Sequence, residues 1–200
     1  GVIPASQEYM KFAEKICRER GVLLMMDEVQ TGYGRTGSWF GFEHYGISPD
    51  VVIMAKAMGN GMPIGGIWAK KEVAAVFKPG DHGSTFSGTA IATSAARATI
   101  KEMQRLNAPQ MAVDKGALLT SLVQAIPQVV SVRGRGLLLG VELADGIDAK
   151  DIQLQLLKNG LVTNAVTGTA LRLAPPLTVT PDEIREAVAI IAAVLKGVQS

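Results

Sequence analysis

Two charged residues stand where apolar runs stop. Val22-Leu23-Leu24-Met25-Met26 ends in Asp27-Glu28, and Val51-Val52-Ile53-Met54-Ala55 ends in Lys56. Runs that are apolar throughout, rather than alternating, are expected of strands covered on both faces, as in a parallel sheet. Open α/β sheets bind ligands beyond the carboxyl ends of their strands. A carboxylate and an amine at such ends are groups that proton transfer and covalent carbonyl chemistry use. Taken singly, each equally well marks the point where a buried strand reaches water.

Other chemistries lack their required residues. An apolar strand followed by Asp-Glu also occurs in P-loop ATPases, but the chain has no Gly-x-x-x-x-Gly-Lys-Ser/Thr loop. Gly59-Asn60-Gly61 lacks the third glycine of a dinucleotide fingerprint, and Pro63 stands where the helix would begin. His44 and His82 are isolated imidazoles without metal-ligand spacing, so structural roles and no metal are expected. Trp39, Trp68 and the methionines read as core.

Composition narrows the class further. Hydrophobic residues make up 48% of the 200 and charged residues 19%, which supports a sizeable core and excludes disorder. A net charge of +2 with no basic run gives no reason to expect a nucleic-acid or membrane partner. The longest strongly apolar stretch, 187–195, is too short to span a bilayer. No signal-peptide pattern stands in the first residues. The single cysteine, Cys17, excludes a disulfide within the chain and suits a reducing, cytoplasmic setting.

The elements that must position these residues follow from periodicity and punctuation. Ser6 caps a helix expected to reach about Arg20, with Gly21 as its stop. A glycine-rich aromatic loop, 31–46, joins the two apolar runs, and 64–69 forms a third strand. A loop over 79–87 leads into a helix at about 88–106, and Pro109 opens another that ends before Pro127. Beyond it, 129–132 and 137–143 flank Arg133-Gly134-Arg135-Gly136 as a hairpin. Asp148 caps a helix closed by Gly160. Residues 161–166 and 170–173 flank Thr167-Gly168-Thr169 as a second hairpin. Thr180 and Glu183 form a capping box with Pro181 at the first helical position, opening a last helix striped by Ile184, Val188, Ile191 and Leu195.

Several motifs recur in one order: Asp27-Glu28-Val29-Gln30-Thr31-Gly32, Gly34-Arg35-Thr36-Gly37, Pro49-Asp50, Ala55-Lys56, Pro63-Ile64-Gly65, His82-Gly83-Ser84-Thr85-Phe86, and Leu171-Arg172-Leu173-Ala174-Pro175-Pro176-Leu177. In order and spacing they resemble the class III aminotransferases along essentially the whole chain. The resemblance implies the α/β, type I pyridoxal phosphate-dependent transferase fold. On it, 1–110 is part of the large cofactor-binding domain, 111–127 a linking helix, and 128–200 a small α+β C-terminal domain. It also implies a preceding segment with a phosphate loop, an aromatic that covers the cofactor ring and an arginine for substrate.

Roles carried over by the resemblance agree with the chemistry of each residue type. Lys56 would hold pyridoxal 5'-phosphate as a Schiff base and move the substrate proton, once a buried site lowers its pKa. Asp27 would face the pyridine nitrogen, and Gln30 the phenolic oxygen. Ser84 and Thr85, ahead of a helix, suit the phosphate; in the family this Thr reaches the cofactor of the other subunit, which implies a homodimer. Arg172 resembles the arginine that takes a substrate carboxylate. Glu28 and Arg35 are expected to organise the loop. Asn164-Ala165-Val166 before Ala170-Leu171-Arg172 is most similar to the acetylornithine-specific members. The expected reaction transfers an amino group from N2-acetyl-L-ornithine to 2-oxoglutarate in arginine biosynthesis. Ornithine, succinylornithine and 4-aminobutyrate remain alternative donors, and a catalytically incomplete fragment is the non-enzymatic alternative.

Overall fold

The computed structural model describes residues 1–197. They divide into two compact units, one of residues 5–108 and one joining residues 1–4 to those from 109 onward.

The first unit opens with helix α1 (Gln7–Arg20). Ser6 Oγ accepts the Tyr9 N–H, and Gly21, at φ 63°, closes the helix in the left-handed region that only glycine enters freely. Strands β1 (Met25–Asp27) and β2 (Val51–Met54) pair in parallel, with Met25 opposite Val51 and Asp27 opposite Ile53. Strand β3 (Gly66–Ala69) adds antiparallel to β2, giving the order β1-β2-β3. Helices α2 (Lys71–Ala74) and α3 (Ala90–Arg105) complete the unit.

The parallel pair agrees with the apolar runs, but the covering expected on both faces does not extend to all of it. Val51 and Val52 of the central strand are buried, whereas Met25 is 54% exposed and Val22 and Leu23 are exposed too. Within a three-strand sheet β1 and β3 are both edges, so each lacks a neighbour on one side. Trp68 on β3, expected in the core, is 49% exposed for the same reason.

Asp50 clamps the start of this sheet. Its Oδ2 accepts the Leu24 N–H at 2.8 Å, and its Oδ1 accepts from Lys70 Nζ at 2.8 Å. Its backbone bonds Leu24 O and Lys70 N as well, so one residue joins the ends of all three strands.

The second unit contains α4 (Ala108–Gln124), β4 (Val129–Arg135), β5 (Leu138–Leu143), α5 (Ala149–Lys158), β6 (Asn164–Ala165), β7 (Ala170–Leu173) and α6 (Pro181–Gly197). The sheet is antiparallel throughout, in the order β4-β5-β7-β6. The first hairpin turns later than expected. Its ladder runs through the Arg-Gly-Arg segment to Arg135 opposite Leu138, so the turn lies at Gly136-Leu137. Gly134 permits this, because at φ 131° a Cβ there would stand 2.1 Å from Leu138 O.

One face of the sheet presents Val141, Leu139, Leu171 and Leu173 to a core completed by Ile152 and Leu156 of α5 and Ile184, Ile191 and Leu195 of α6. The segment 111–127, read as a linking helix, lies largely in α4, whose Ala112, Leu119 and Val123 belong to this core. Each fully buried aliphatic side chain contributes about 1.5–3 kcal/mol. Both helix starts are capped as the sequence indicates. Asp148 Oδ1 accepts from Lys150 N and Asp151 N, and Thr180 and Glu183 exchange side chain-to-backbone bonds.

Gly116 lies inside α4 where the hairpin backbone passes closest. A Cβ there would stand 2.2 Å from Gly136 O. Gly→Ala in a helix interior ordinarily stabilises by about 0.5–1 kcal/mol. Gly116→Ala should instead destabilise by about 1–3 kcal/mol through overpacking, measured by urea unfolding; a gain in stability would refute the close approach. A second expectation concerns pH. The hydrogen bond from Lys70, then that from the Leu24 N–H, holds the Asp50 carboxyl below the usual carboxylate range. Its stabilisation is therefore present above the unfolded-chain value of about 3.9 and is lost as pH falls through the lower folded value. Asp50→Asn should be less stable than wild type at pH 7 and converge on it in acid.

Candidate functional site

The site is built on the loop that leaves β1. Glu28, only 2% exposed, follows Asp27 directly. Its carboxylate accepts the backbone N–H groups of Gly41 at 2.9 Å and Phe42 at 2.8 Å, and the Thr31 hydroxyl. A buried carboxylate with three donors is satisfied; without them it would be strongly unfavourable. Glu28 thus folds the far end of the loop back onto the strand end. Gly32 donates to Glu28 O, and a Cβ there would come within 2.8 Å of that oxygen. Tyr33 is buried, with its hydroxyl 3.4 Å from Met54 Sδ on β2, and burial pushes the phenol pKa up. Its ring meets Phe40 edge-on, and Phe40 stacks on Phe42.

The remaining loop polar groups serve the same packing. His44 Nε2 lies 3.0 Å from Thr36 O and 3.1 Å from both Thr36 Oγ1 and Ser38 Oγ. His82 packs edge-on against Phe77. Burial pulls the Arg35 guanidinium pKa below its ordinary value. Among the described residues, no group of three or more His, Cys, Asp or Glu is placed to hold a metal ion. None of the helices among them is long and apolar enough to cross a membrane.

Asp27 ends β1 with its side chain exposed, and its Oδ1 accepts the Val29 N–H at 3.0 Å. Because Asp27 pairs with Ile53 in a parallel register, the chain beyond both strands leaves from one sheet edge. Lys56 opens the short 3-10 turn Lys56–Met58 that follows β2. It stands at φ 46°, a conformation that costs a non-glycine residue about 1–2 kcal/mol. Strain of this kind concentrates at functional positions. Among the described residues its ammonium has no hydrogen-bond or ion-pair partner. One expectation is corrected here: Lys56 is exposed, so residues 1–197 do not supply the burial expected around it.

Gln30 is half-buried in the turn after Glu28. Ser84 and Thr85 are exposed in the loop before α3. That helix starts at Ala90 with Thr89 at its N-cap, so both hydroxyls lie upstream of the helix terminus, not in its first turn. The structure therefore brings Asp27, Gln30 and Lys56 to the carboxyl-end side of β1 and β2, with Ser84 and Thr85 on a separate loop of that unit. Arg172 belongs to the second unit, half-buried on β7 between Gly140 of β5 and Asn164 of β6. A cavity of about 220 Å³ in that unit is lined chiefly by apolar residues, with Arg172 and Glu183 its charged members. Glu183 is already committed to the Thr180 cap.

Two contributions escaped sequence reading. Asp50 was visible only as part of a motif, although a carboxylate opening an apolar run signals a strand-start clamp. Asn164 carried no role, although it and Arg172 stand at equal spacing from Gly168, as cross-strand partners about a hairpin turn do.

Comparison with known proteins gives one result. The family model "Aminotransferase class-III" matches residues 1–195. Acetylornithine aminotransferase of Bacillus subtilis (strain 168) is 45% identical over 191 residues, covering 94% of this chain and 49% of that protein. Among solved structures, ornithine delta-aminotransferase of Plasmodium falciparum superposes with a TM-score of 0.89 at 36% identity, covering 98% of this chain and 53% of that one. Acetylornithine aminotransferase of Elizabethkingia anophelis gives 0.86 at 34% identity, over 96% and 50%. The chain spans about half the length of the curated relatives it matches. Its mixed α/β architecture is that of the type I pyridoxal phosphate-dependent fold. With nearly all of its length matched by the family model and by these relatives, the chain belongs to the class III aminotransferases.

Proposed function

We propose that the protein containing this chain is a pyridoxal phosphate-dependent aminotransferase that moves an amino group from N2-acetyl-L-ornithine to 2-oxoglutarate, in the cytoplasm and on the route to arginine. The observation that carries the reading is the strand-end pair. Asp27 ends one of two adjacent parallel strands and Lys56 follows the other, in a strained turn and with no partner for its ammonium among the described residues.

The residues present fit the cofactor. An exposed amine and an exposed carboxylate lie off one sheet edge, the two groups its carbonyl and its ring nitrogen need. Lys56 Nζ would hold the carbonyl carbon, Asp27 the protonated ring nitrogen and Gln30 the phenolic oxygen. Ser84 and Thr85 would serve the phosphate, Thr85 that of the cofactor bound to a partner subunit. When bound, pyridoxal phosphate supplies an electron sink for the bond broken at the donor carbon. Lys56 Nζ would be the base that moves the proton of the donor carbon. Asp27 would stand opposite the ring nitrogen, and Glu28 holds the loop in place. Arg172 offers a planar fork to a substrate carboxylate. The exposed Phe86, at 85%, and Ile91 flank the Thr85 loop with apolar surface, which supports a homodimer contact there.

The amino donor is the finer part of the proposal. The curated relatives favour acetylornithine, while the superposed Plasmodium falciparum structure favours ornithine. A donor panel on the full-length protein with 2-oxoglutarate as acceptor separates them. The highest kcat/KM should fall to N2-acetyl-L-ornithine, followed by L-ornithine. Activity with 4-aminobutyrate and none with acetylornithine would overturn the assignment.

A further inference from the structure

Four non-glycine residues among those described stand at positive φ. Asn60 and Asn107 are of a type that tolerates the left-handed region; Tyr33, at 56°, and Lys56, at 46°, are not. Both lie on segments that leave the paired strands β1 and β2 on one side. One contact links them. The hydroxyl of buried Tyr33 donates to Met54 Sδ at 3.4 Å, and Met54 is the last residue of β2, two before Lys56.

Glycines flank Tyr33 at positions 32 and 34. Were the path of the loop all that mattered, a glycine at 33 would follow it without strain. A bulky side chain kept in that conformation points to a use for the side chain itself. Tyr33 is in turn held from behind. Its ring meets Phe40 edge-on, and the Glu28 carboxylate pins the loop at Gly41 and Phe42.

The Lys56 turn needs such a hold, since a strained backbone persists only where its surroundings fix it. Within the turn, Met58 N–H donates to Ala55 O at 3.1 Å and Gly59 N–H to Lys56 O at 3.2 Å. On the β3 side, Gly66 stands opposite Met54 and leaves room for Met58, whose Cε would lie 3.7 Å from a Cβ at 66. These features wind the turn. Tyr33 adds a grip, from the loop after β1, on the side chain at the strand end from which the turn springs.

We propose that Tyr33 is a positioning residue for Lys56: through Met54 it holds the end of β2 so that the strained turn presents the Lys56 amine to a carbonyl ligand. The inference rests on the reading of Lys56 given above. The step served is condensation of the neutral amine with the aldehyde of pyridoxal phosphate, in which a C=N bond forms and the aldehyde oxygen leaves as water. Pyridoxamine 5'-phosphate shares the ring and the phosphate but carries an amine in place of the aldehyde, so it condenses with no lysine. Comparing the two affinities isolates the bond to Lys56.

The test uses full-length wild type, Tyr33→Phe, Met54→Leu and the double variant, each freed of cofactor. Dissociation constants for both ligands and melting temperatures are measured. Each single variant should weaken pyridoxal phosphate about 2- to 5-fold, the lower part of the range for one hydrogen bond because sulfur is a weak acceptor. Pyridoxamine phosphate should bind as to wild type. The double variant should be no weaker than either single, since both remove one contact. Equal weakening of the two ligands, additive losses in the double variant, or unchanged affinities with or without a lower melting temperature overturn the proposal. A wild type that binds pyridoxal phosphate with no borohydride-reducible adduct at Lys56 overturns the Lys56 reading, and the proposal with it; the wild-type arm thus separates the two failures.

Discussion

The parallel pairing of Met25–Asp27 with Val51–Met54 is the constraint on which the first unit depends. It sends both segments off the sheet on one side, so a carboxylate and an amine 29 positions apart in sequence leave from adjacent strand ends. The ladder extends one residue beyond Asp27, through the Glu28 N–H to Ile53 O at 2.9 Å. That bond fixes the exit of the loop, and the Glu28 carboxylate then gathers its far end. At the opposite end of the same strands, Asp50 closes the sheet. Two acidic residues thus hold the frame, the Glu28 carboxylate with three donors and the Asp50 carboxylate with two, while Asp27 is left with an exposed carboxylate.

The second unit solves a different problem. Its antiparallel sheet presents Leu171 and Leu173 to the core on one face, while Arg172, between them in the strand, is half-buried on the other. Close backbone approaches at Gly116 and Gly134 let the helix and hairpin pack at distances that a Cβ would forbid. The precision of the Arg172 row follows from this packing, since every member sits opposite its neighbour in register.

Much of this was legible in the residues, for reasons that differ by element. Ser6, Gly21, Asp148, Thr180 and Glu183 announce helix ends because capping is local chemistry, and the structure forms each cap. The two strand-end charges were legible because an apolar run has to stop somewhere. What covers a strand was not: an apolar run states a demand for burial, and in Val22, Leu23, Met25 and Trp68 that demand is unmet by this chain. The same gap explains the exposed Lys56. The hairpin turn was placed early because Arg-Gly-Arg-Gly reads as a turn, whereas Gly134 serves a tight ladder. Gln30, Ser84, Thr85 and Arg172 could be given roles only through the family resemblance, since an amide, two hydroxyls and a strand arginine have many structural uses. Thr89, not Ser84 or Thr85, takes the helix cap, a detail that no periodicity indicates.

The proposed activity requires Lys56 as the cofactor-bearing residue. The direct measurement is to add pyridoxal phosphate to the full-length protein and to Lys56→Ala, reduce both with borohydride, and locate the phosphopyridoxyl group by peptide mass spectrometry. The label should sit on the Lys56 peptide of the wild type, and the variant should show neither the label nor the reducible absorbance band. Equal labelling of the two proteins, or a label on another lysine of the wild type, would contradict the account.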